Sequence, residues 1–205
     1  MPISRLVSEL NQVRDVPADY ATFAGVGEPT LASNLGMAIE IVKSTLGLPV
    51  AVLTNSSLMP HEDVRQALAR ADVVMAKLDA PNEELFRRIN RPVARYSLDE
   101  ICQGIRRFRS EYGGKLALQM MFVTGNKDYA PEMARMATDL SPDEVQINTP
   151  LRPCRVAPLL PEEIAAIRQE FVGLARVITV YEAPRVDVTP LNLGETLQRR
   201  PERTS

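Results

Sequence analysis

The sequence predicts an α/β fold built on a parallel sheet. Short apolar runs alternate with helical patterns between residues 3 and 180, and helices between successive strands imply parallel pairing with right-handed crossovers. The run at 49–53 is continuously apolar, as expected of a parallel strand buried on both faces. A length of 205 residues favours one large domain. Two architectures satisfy this pattern, an open doubly wound sheet and a (β/α) barrel.

The first half of the chain supplies three helices and three strands. A helix is predicted at 3–13, where apolar residues share one face and Ser4 is the candidate N-cap. An apolar stripe at helical spacing predicts a second helix at 34–46. The other elements of this half are strands at 20–24, 49–53 and 73–78 and a helix at 61–70.

The second half continues the alternation. Ser97 and Glu100 have the spacing of a capping box, which predicts a helix at 98–112. Pro131 suits the first turn of a helix at 131–140. The other elements are strands at 116–123, 145–147 and 177–180 and a helix at 161–174. Residues 1–183 therefore form the predicted domain, and the polar, arginine-rich segment 184–205 is expected to be a poorly ordered tail.

Composition excludes several classes of protein. Lysine and arginine total 24 and aspartate and glutamate 26, so the net charge of −2 gives no support for general polyanion binding. No apolar run is long enough to cross a membrane, and the N-terminus lacks the apolar core of a secretory signal. Two cysteines cannot form the disulfide framework of a small secreted protein. A cytoplasmic protein is expected.

Small and polar residues follow nearly every predicted strand. The most informative exit is the loop Gly25, Val26, Gly27, Glu28 and Pro29, in which two glycines permit a close approach to a ligand. The other exits are 54–56, 79–80, 124–126 and 148–150. Since the carboxyl ends of parallel strands meet at one edge, these residues predict a polar ligand pocket there. The alternative is that they are ordinary turn residues.

Other candidate residues are weaker. His61, the only histidine, is interpreted as a surface residue, because a metal site needs more ligands. The arginines at 87, 88 and 91 and at 106, 107 and 109 are explained by solvated helix faces, with phosphate or RNA contact as the alternative. Lys77 is expected to pair near Asp79 or with Glu28, or to be a rim charge.

Six segments of the chain resemble the radical S-adenosylmethionine enzymes. They are FAGVGEPTL at 23–31, TNSSL at 54–58, ADVV at 71–74, KLDA at 77–80, FRRINRP at 86–92 and NTP at 148–150. The chain is most similar to the iron–sulfur oxidoreductases related to wyosine-base synthases and glycyl-radical activases. The most specific feature of this resemblance is that LDA at 78–80 is followed by INRP at 89–92.

The resemblance implies a partial (β/α)6 barrel that binds S-adenosylmethionine. The backbone of Gly25 to Pro29 would grip the amino end of this cofactor, and Val26 stands where many members have glycine. Thr54 and Asn55 would face its ribose or methionine end. Asp79 would accept a hydrogen bond from the ribose or a substrate, with capping of the following helix as the alternative.

The resemblance also implies a 4Fe–4S cluster that this chain cannot ligate. Three cysteines at Cys-x3-Cys-x2-Cys spacing hold the cluster in the family, and such clusters require thiolates. Here the only cysteines are Cys102, expected inside a helix, and Cys154, expected in a loop. The first strand and the cluster loop of the family are therefore expected to be absent from this chain, and no metal ligand is assigned.

The sequence is consistent with three functions. The first is a radical enzyme whose full-length form cleaves S-adenosylmethionine reductively, with a reductant for the cluster and a small molecule, a protein glycyl site or a tRNA base as substrate. The second is a cluster-free remnant that binds an adenosyl ligand or a partner. The third is a metabolite-processing barrel enzyme that uses Glu28, Lys77 and Asp79 for acid–base catalysis.

Overall fold

Six parallel strands form a single sheet in the order β1-β2-β3-β4-β5-β6 in the computed structural model, which describes residues 2–25, 27–93, 96–152, 154–183 and 194. The strands are β1 Ala21–Phe23, β2 Val50–Thr54, β3 Val73–Lys77, β4 Lys115–Met121, β5 Glu144–Asn148 and β6 Val177–Thr179. The strand order equals the chain order, so there is no switch point of the doubly wound kind. The (β/α) barrel is the correct alternative, in the form of a partial, six-stranded barrel.

The crossover segments are helical. In the described part of the chain the helices are α1 Ile3–Gln12, α2 Leu35–Leu46, α3 Glu62–Leu68, α4 Glu83–Ile89, α5 Leu98–Glu111, α6 Ala130–Leu140 and α7 Pro161–Glu170. Every helix and strand predicted from the sequence is present, with ends shifted by a few residues. None of the described helices has both the length and the apolar character that a membrane crossing requires.

Helix α4 is an element that the sequence analysis missed. Its signals are present: the side chain of Asn82 accepts a hydrogen bond from the N–H of Leu85, and acidic residues fill its first turn. The capping box of Ser97 and Glu100 on α5 is confirmed. The prediction of Ser4 as a cap was wrong, because α1 begins one residue before it and its N-cap is Pro2.

Burial alternates along β2, so the prediction of a strand buried on both faces at 49–53 was wrong. In β2, Val50 and Val52 are fully buried, whereas Ala51 and Leu53 are half-exposed. The strands run in sequential order with right-handed crossovers, which places the helices on one face of the sheet. The opposite, concave face is left partly open, and it forms the floor of the site described next.

Candidate functional site

The Glu28 carboxylate ties the loop after β1 to the end of β2. One carboxylate oxygen, Oε1, accepts hydrogen bonds from the Thr54 hydroxyl at 2.6 Å, the Thr30 hydroxyl at 2.7 Å and the Thr30 N–H at 3.1 Å. The other, Oε2, accepts the N–H of Asn55 at 2.7 Å. Four donors from two strand exits therefore hold one carboxylate, which links the loop to the end of β2.

A cavity of about 410 Å³ lies beside this loop. It brings together the predicted residues Gly25, Gly27, Glu28, Pro29, Thr54 and Asn55. Its other walls include Met75, Lys77 and Gln119 from the half-exposed face of β3 and β4. Val26 lies outside the described residues. The loop and the concave sheet face thus meet at one cavity, which we call the loop cavity.

Asp79 lies buried at the exit of β3, where only 3% of it is exposed. Its carboxylate accepts the N–H of Met121 at 2.9 Å and the side-chain amide of Asn90 at 3.0 Å, and it pairs with the Lys77 ammonium at 3.1 Å. The helix-cap alternative for Asp79 was wrong, since Asn82 caps α4. Asp79 instead fixes the exits of β3 and β4 and the end of α4 relative to one another.

Two asparagines of this network were not assigned a role from the sequence. Asn90 ends α4, and Asn126 is 1% exposed in the loop after β4. The Asn126 amide donates to the carbonyls of Asp79 and Met121, and its Oδ1 accepts the N–H of Val123. The only sequence signals were the loop position of Asn126 and the place of Asn90 in the FRRINRP segment.

A second cavity, of about 710 Å³, adjoins the loop cavity. Glu28, Asn55 and Lys77 line both cavities. The remaining walls of the second cavity come from Ser57, Asp79 and Met121, from Phe86 and residues 89–93 of α4 and its following turn, and from the apolar side chains of Leu31 and Leu58. Lys77 therefore stands at the junction of two spaces, with its ammonium held by Asp79.

The two cysteines do not fit an iron–sulfur cluster. Cys102 is buried within α5, where burial raises the pKa of its thiol to about 11. Cys154 is exposed, and its Sγ donates to the carbonyl of Val156. Both are free thiols in separate environments, as the sequence analysis expected, and no group of three or more candidate metal ligands occurs among the described residues.

Of the remaining sequence candidates, Arg91 lines the second cavity, whereas His61, Arg87 and Arg109 line neither cavity. His61 is exposed, and its Nε2 lies 2.5 Å from the Tyr96 hydroxyl. Arg87 pairs with Glu83 on the exposed side of α4. Arg109 does not belong to a solvated face, because it forms two hydrogen bonds with the Asp143 carboxylate.

Comparison with known protein families agrees with this geometry. The family model described as the radical SAM superfamily matches residues 1–137. A UPF0026 protein of Methanocaldococcus jannaschii is 35% identical over 162 residues, which cover 77% of this chain and 50% of that protein. The chain therefore spans about half the length of this curated relative.

Solved structures share the fold at low sequence identity. The Streptococcus suis SuiB structure bound to S-adenosylmethionine has a TM-score of 0.69 and 13% identity, covering 87% of this chain and 43% of SuiB. A domain of a pyruvate-formate lyase-activating enzyme from Bacteroides vulgatus has a TM-score of 0.60 and 17% identity, covering 78% of this chain and 97% of that domain. Both similarities concern the arrangement of the sheet and helices.

Proposed function

Because this chain belongs to the radical S-adenosylmethionine superfamily, we propose that it binds S-adenosylmethionine in the loop cavity. The full protein would then be an enzyme that starts radical chemistry by reductive cleavage of this molecule.

The observation that carries the proposal is the four-donor anchoring of Glu28. A glycine loop with free backbone conformations would lose entropy on binding a ligand. Here the carboxylate fixes the loop before any ligand arrives, with Gly25 and Gly27 at the cavity wall. A methyl group at either glycine would meet no atom within 4 Å, so the space beside the loop is open.

The loop, the end of β2 and the exit of β3 have distinct parts in binding S-adenosylmethionine. The backbone of Gly25 to Pro29 receives the amino end of the ligand. Thr54 and Asn55 hold Glu28 and face the ligand's ribose or methionine end. Asp79, buried and held by three donors, positions Lys77 next to both cavities. These side chains bind and orient, and they shift no proton in the proposal.

In this family a 4Fe–4S cluster would supply the electron for sulfonium cleavage. The thiols of Cys102 and Cys154 do not fit such a cluster, so this chain is assigned no part in holding it. We therefore assign to this chain the binding of S-adenosylmethionine and the shape of the substrate space.

The acid–base alternative is less well supported. It requires Glu28 or Asp79 to exchange a proton with a substrate. The Glu28 carboxylate already accepts four hydrogen bonds, and the Asp79 carboxylate accepts two in addition to its ion pair with Lys77. Because donors of the protein already occupy these oxygens, neither carboxylate offers a substrate a free position from which to accept a proton.

Calorimetric titration of S-adenosylmethionine into the purified chain tests the proposal. Gly27→Ala adds a methyl group at the cavity wall without a steric conflict, and we expect about tenfold weaker binding, or ~1.4 kcal/mol. Gly113→Ala is the matched control, because its methyl group also meets no atom within 4 Å and Gly113 lies between α5 and β4. Absence of binding, or equal effects of both variants, would overturn the proposal.

A further inference from the structure

We propose that the second cavity binds the substrate, and that the substrate is a small organic carboxylate with an apolar body and an N–H or O–H donor close to its charge. This inference rests on the proposed function, since it assigns the space next to the S-adenosylmethionine site. Three observations support it: the apolar wall of the cavity, the two cations Lys77 and Arg91, and the buried Oδ1 acceptor of Asn90.

The outer wall of the cavity is apolar and exposed. Leu31 is 73% exposed and Val93 is fully exposed, and both line this one cavity. Leu58, Phe86 and Ile89 continue the wall inward. Large apolar side chains exposed around a concave space indicate a surface that a ligand covers. The wall therefore suits the apolar body of a ligand.

The charges available to a ligand in this cavity are positive. The carboxylates of Glu28 and Asp79 are occupied by donors of the protein itself. The Lys77 ammonium has one ion-pair partner, and its side chain is 38% exposed. The guanidinium of Arg91, also on the wall, has no hydrogen-bond or ion-pair partner within the described part of the chain. An anionic group is the complement of these two cations.

Arg91 has a backbone that is unusual for its type. Its φ of 47° lies in the left-handed region, which is costly for a residue with a side chain. The turn directly follows Asn90, whose amide is fixed by Asp79. Strain of this kind that persists at a cavity is typical of a residue held for binding.

Asn90 supplies the evidence for a donor on the ligand. Its amide nitrogen donates to Asp79, whereas its Oδ1 is buried and accepts no hydrogen bond from the described residues. A buried acceptor without a partner is unfavourable, and an N–H or O–H of a bound molecule would satisfy it. Since Asn90 adjoins Arg91, this donor lies close to the anionic group of the ligand.

The cavity favours a small molecule over a nucleic acid. Its volume of about 710 Å³ lies in the range of small-molecule sites. Phe86 is the only aromatic residue among its described lining residues, and it is 7% exposed. It therefore offers no open face on which a base could stack, as binding of single-stranded RNA requires.

The test compares carboxylates with their own primary amides. N-acetyl-leucine, N-acetyl-phenylalanine and 2-hydroxy-4-methylpentanoate, each paired with its amide, are titrated into the full chain by calorimetry with S-adenosylmethionine absent and present. We expect at least one acid to bind about tenfold more tightly than its amide, and Arg91→Gln to remove this preference. Arg107→Gln, on the exposed face of α5, is the charge-matched control and should leave the preference unchanged.

Val93 gives a second test that does not depend on Arg91. Because Val93 is fully exposed, both Val93→Asp and Val93→Lys should fold. We expect the aspartate to weaken binding of the acid and the lysine to strengthen it, with binding of the amide unchanged. Acids that bind no better than their amides, equal effects of the two Val93 variants, or tighter binding of a short single-stranded RNA would overturn the inference. Binding of S-adenosylmethionine, measured separately, shows whether the proposed function fails with it.

Discussion

Asp72 and Asp143 hold equivalent positions at the amino edge of the sheet, each one residue before a strand. The Asp72 carboxylate accepts the N–H of Val50 at 2.8 Å, and the Asp143 carboxylate accepts the N–H of Leu116 at 2.8 Å. Each also pairs with a cation on a helix, Lys43 or Arg109. In both places an aspartate that precedes one strand accepts an N–H from the start of the neighbouring strand. These bonds join β2 to β3 and β4 to β5 at the edge of the sheet opposite the site.

Asp143→Ala should destabilise the chain by about 1–3 kcal/mol, because it removes two hydrogen bonds from Arg109 and leaves the Leu116 N–H without its acceptor. Urea unfolding followed by circular dichroism measures the change. Asp139→Ala is the control, since Asp139 is exposed in the last turn of α6, where a negative charge is unfavourable. Equal stability of the two variants would contradict the role of Asp143.

Acid should weaken the fold through carboxylates that are paired with cations and hydrogen-bond donors in the folded state. Burial alone would raise the pKa of Glu144, but hydrogen bonds from Gln146 and Lys115 and the charge of Arg176 lower it below its usual 4.5. Desolvation likewise acts to raise the pKa of Asp72, but the hydrogen bonds from Lys43 and the Val50 N–H hold it below its usual value. A lowered pKa in the folded state adds stability above the unfolded pKa, and this stability disappears as the pH falls through the folded value.

The free energy of unfolding should therefore be flat near pH 7 and fall below about pH 4.5. Urea midpoints measured between pH 3 and pH 7 check this profile. Glu144→Gln removes one of the responsible groups, so its profile should be shallower in acid even though the variant is less stable at neutral pH. A parallel profile for this variant would show that Glu144 is not responsible.

The fold was largely predictable because its signals are local. Strand–helix alternation predicts the parallel sheet, and the Ser97–Glu100 spacing predicts the start of α5. The choice between barrel and doubly wound sheet depended on strand order, which no local pattern encodes. Helix α4 was missed because it is short and its second half lies in FRRINRP, a segment interpreted by its resemblance alone.

The sequence predicted which loop and β2 residues lie together, but not their contacts, and the predicted exits 124–126 and 148–150 line neither cavity. Strand exits meet at one edge in any parallel barrel, so the grouping of Gly25, Glu28 and Thr54 followed from the sequence. Glu28 accepts hydrogen bonds from Thr54 and Asn55, which follow it in the chain by 26 and 27 positions. These contacts depend on distances across the sheet, which a local sequence pattern does not encode. The burial of Asp79 and its bond to the Met121 N–H, 42 positions away, were equally beyond local patterns.

Gly104→Ala should destabilise the chain although alanine favours helices. The gain in helix propensity is at most about 1 kcal/mol. The added Cβ would lie 2.6 Å from the backbone carbonyl of Met59, which is part of a fully buried residue. Overpacking of this kind costs about 1–3 kcal/mol, so the net effect is a loss. A thermal melt checks it, and Gly104→Ala with an unchanged or raised Tm would show that α5 can shift away from Met59.

The two thiols should differ strongly in reactivity. Cys154 is exposed, whereas Cys102 is 8% exposed and burial raises the pKa of its thiol to about 11, so that almost no thiolate forms at neutral pH. Ellman's reagent should titrate one thiol quickly in the native chain and two in urea. Cys154→Ser should abolish the fast phase. A fast phase that survives in this variant would place Cys102 at an accessible surface.

The bond between Glu28 and Thr54 can be tested directly by a double-mutant cycle. Glu28→Gln weakens an acceptor of four hydrogen bonds, and Thr54→Val removes one donor with little change of shape. The two side chains are in contact at 2.6 Å, so we expect a coupling free energy of about 1–2 kcal/mol in urea unfolding. Glu28→Gln with Ser57→Ala serves as the control pair, because the Ser57 hydroxyl forms no bond to Glu28 among the described contacts.

If S-adenosylmethionine binding depends on a loop held by the bond between Glu28 and Thr54, each single variant should weaken this binding, and the double variant should weaken it little further. Additive losses in binding would show that Thr54 contacts the ligand itself instead of acting through Glu28.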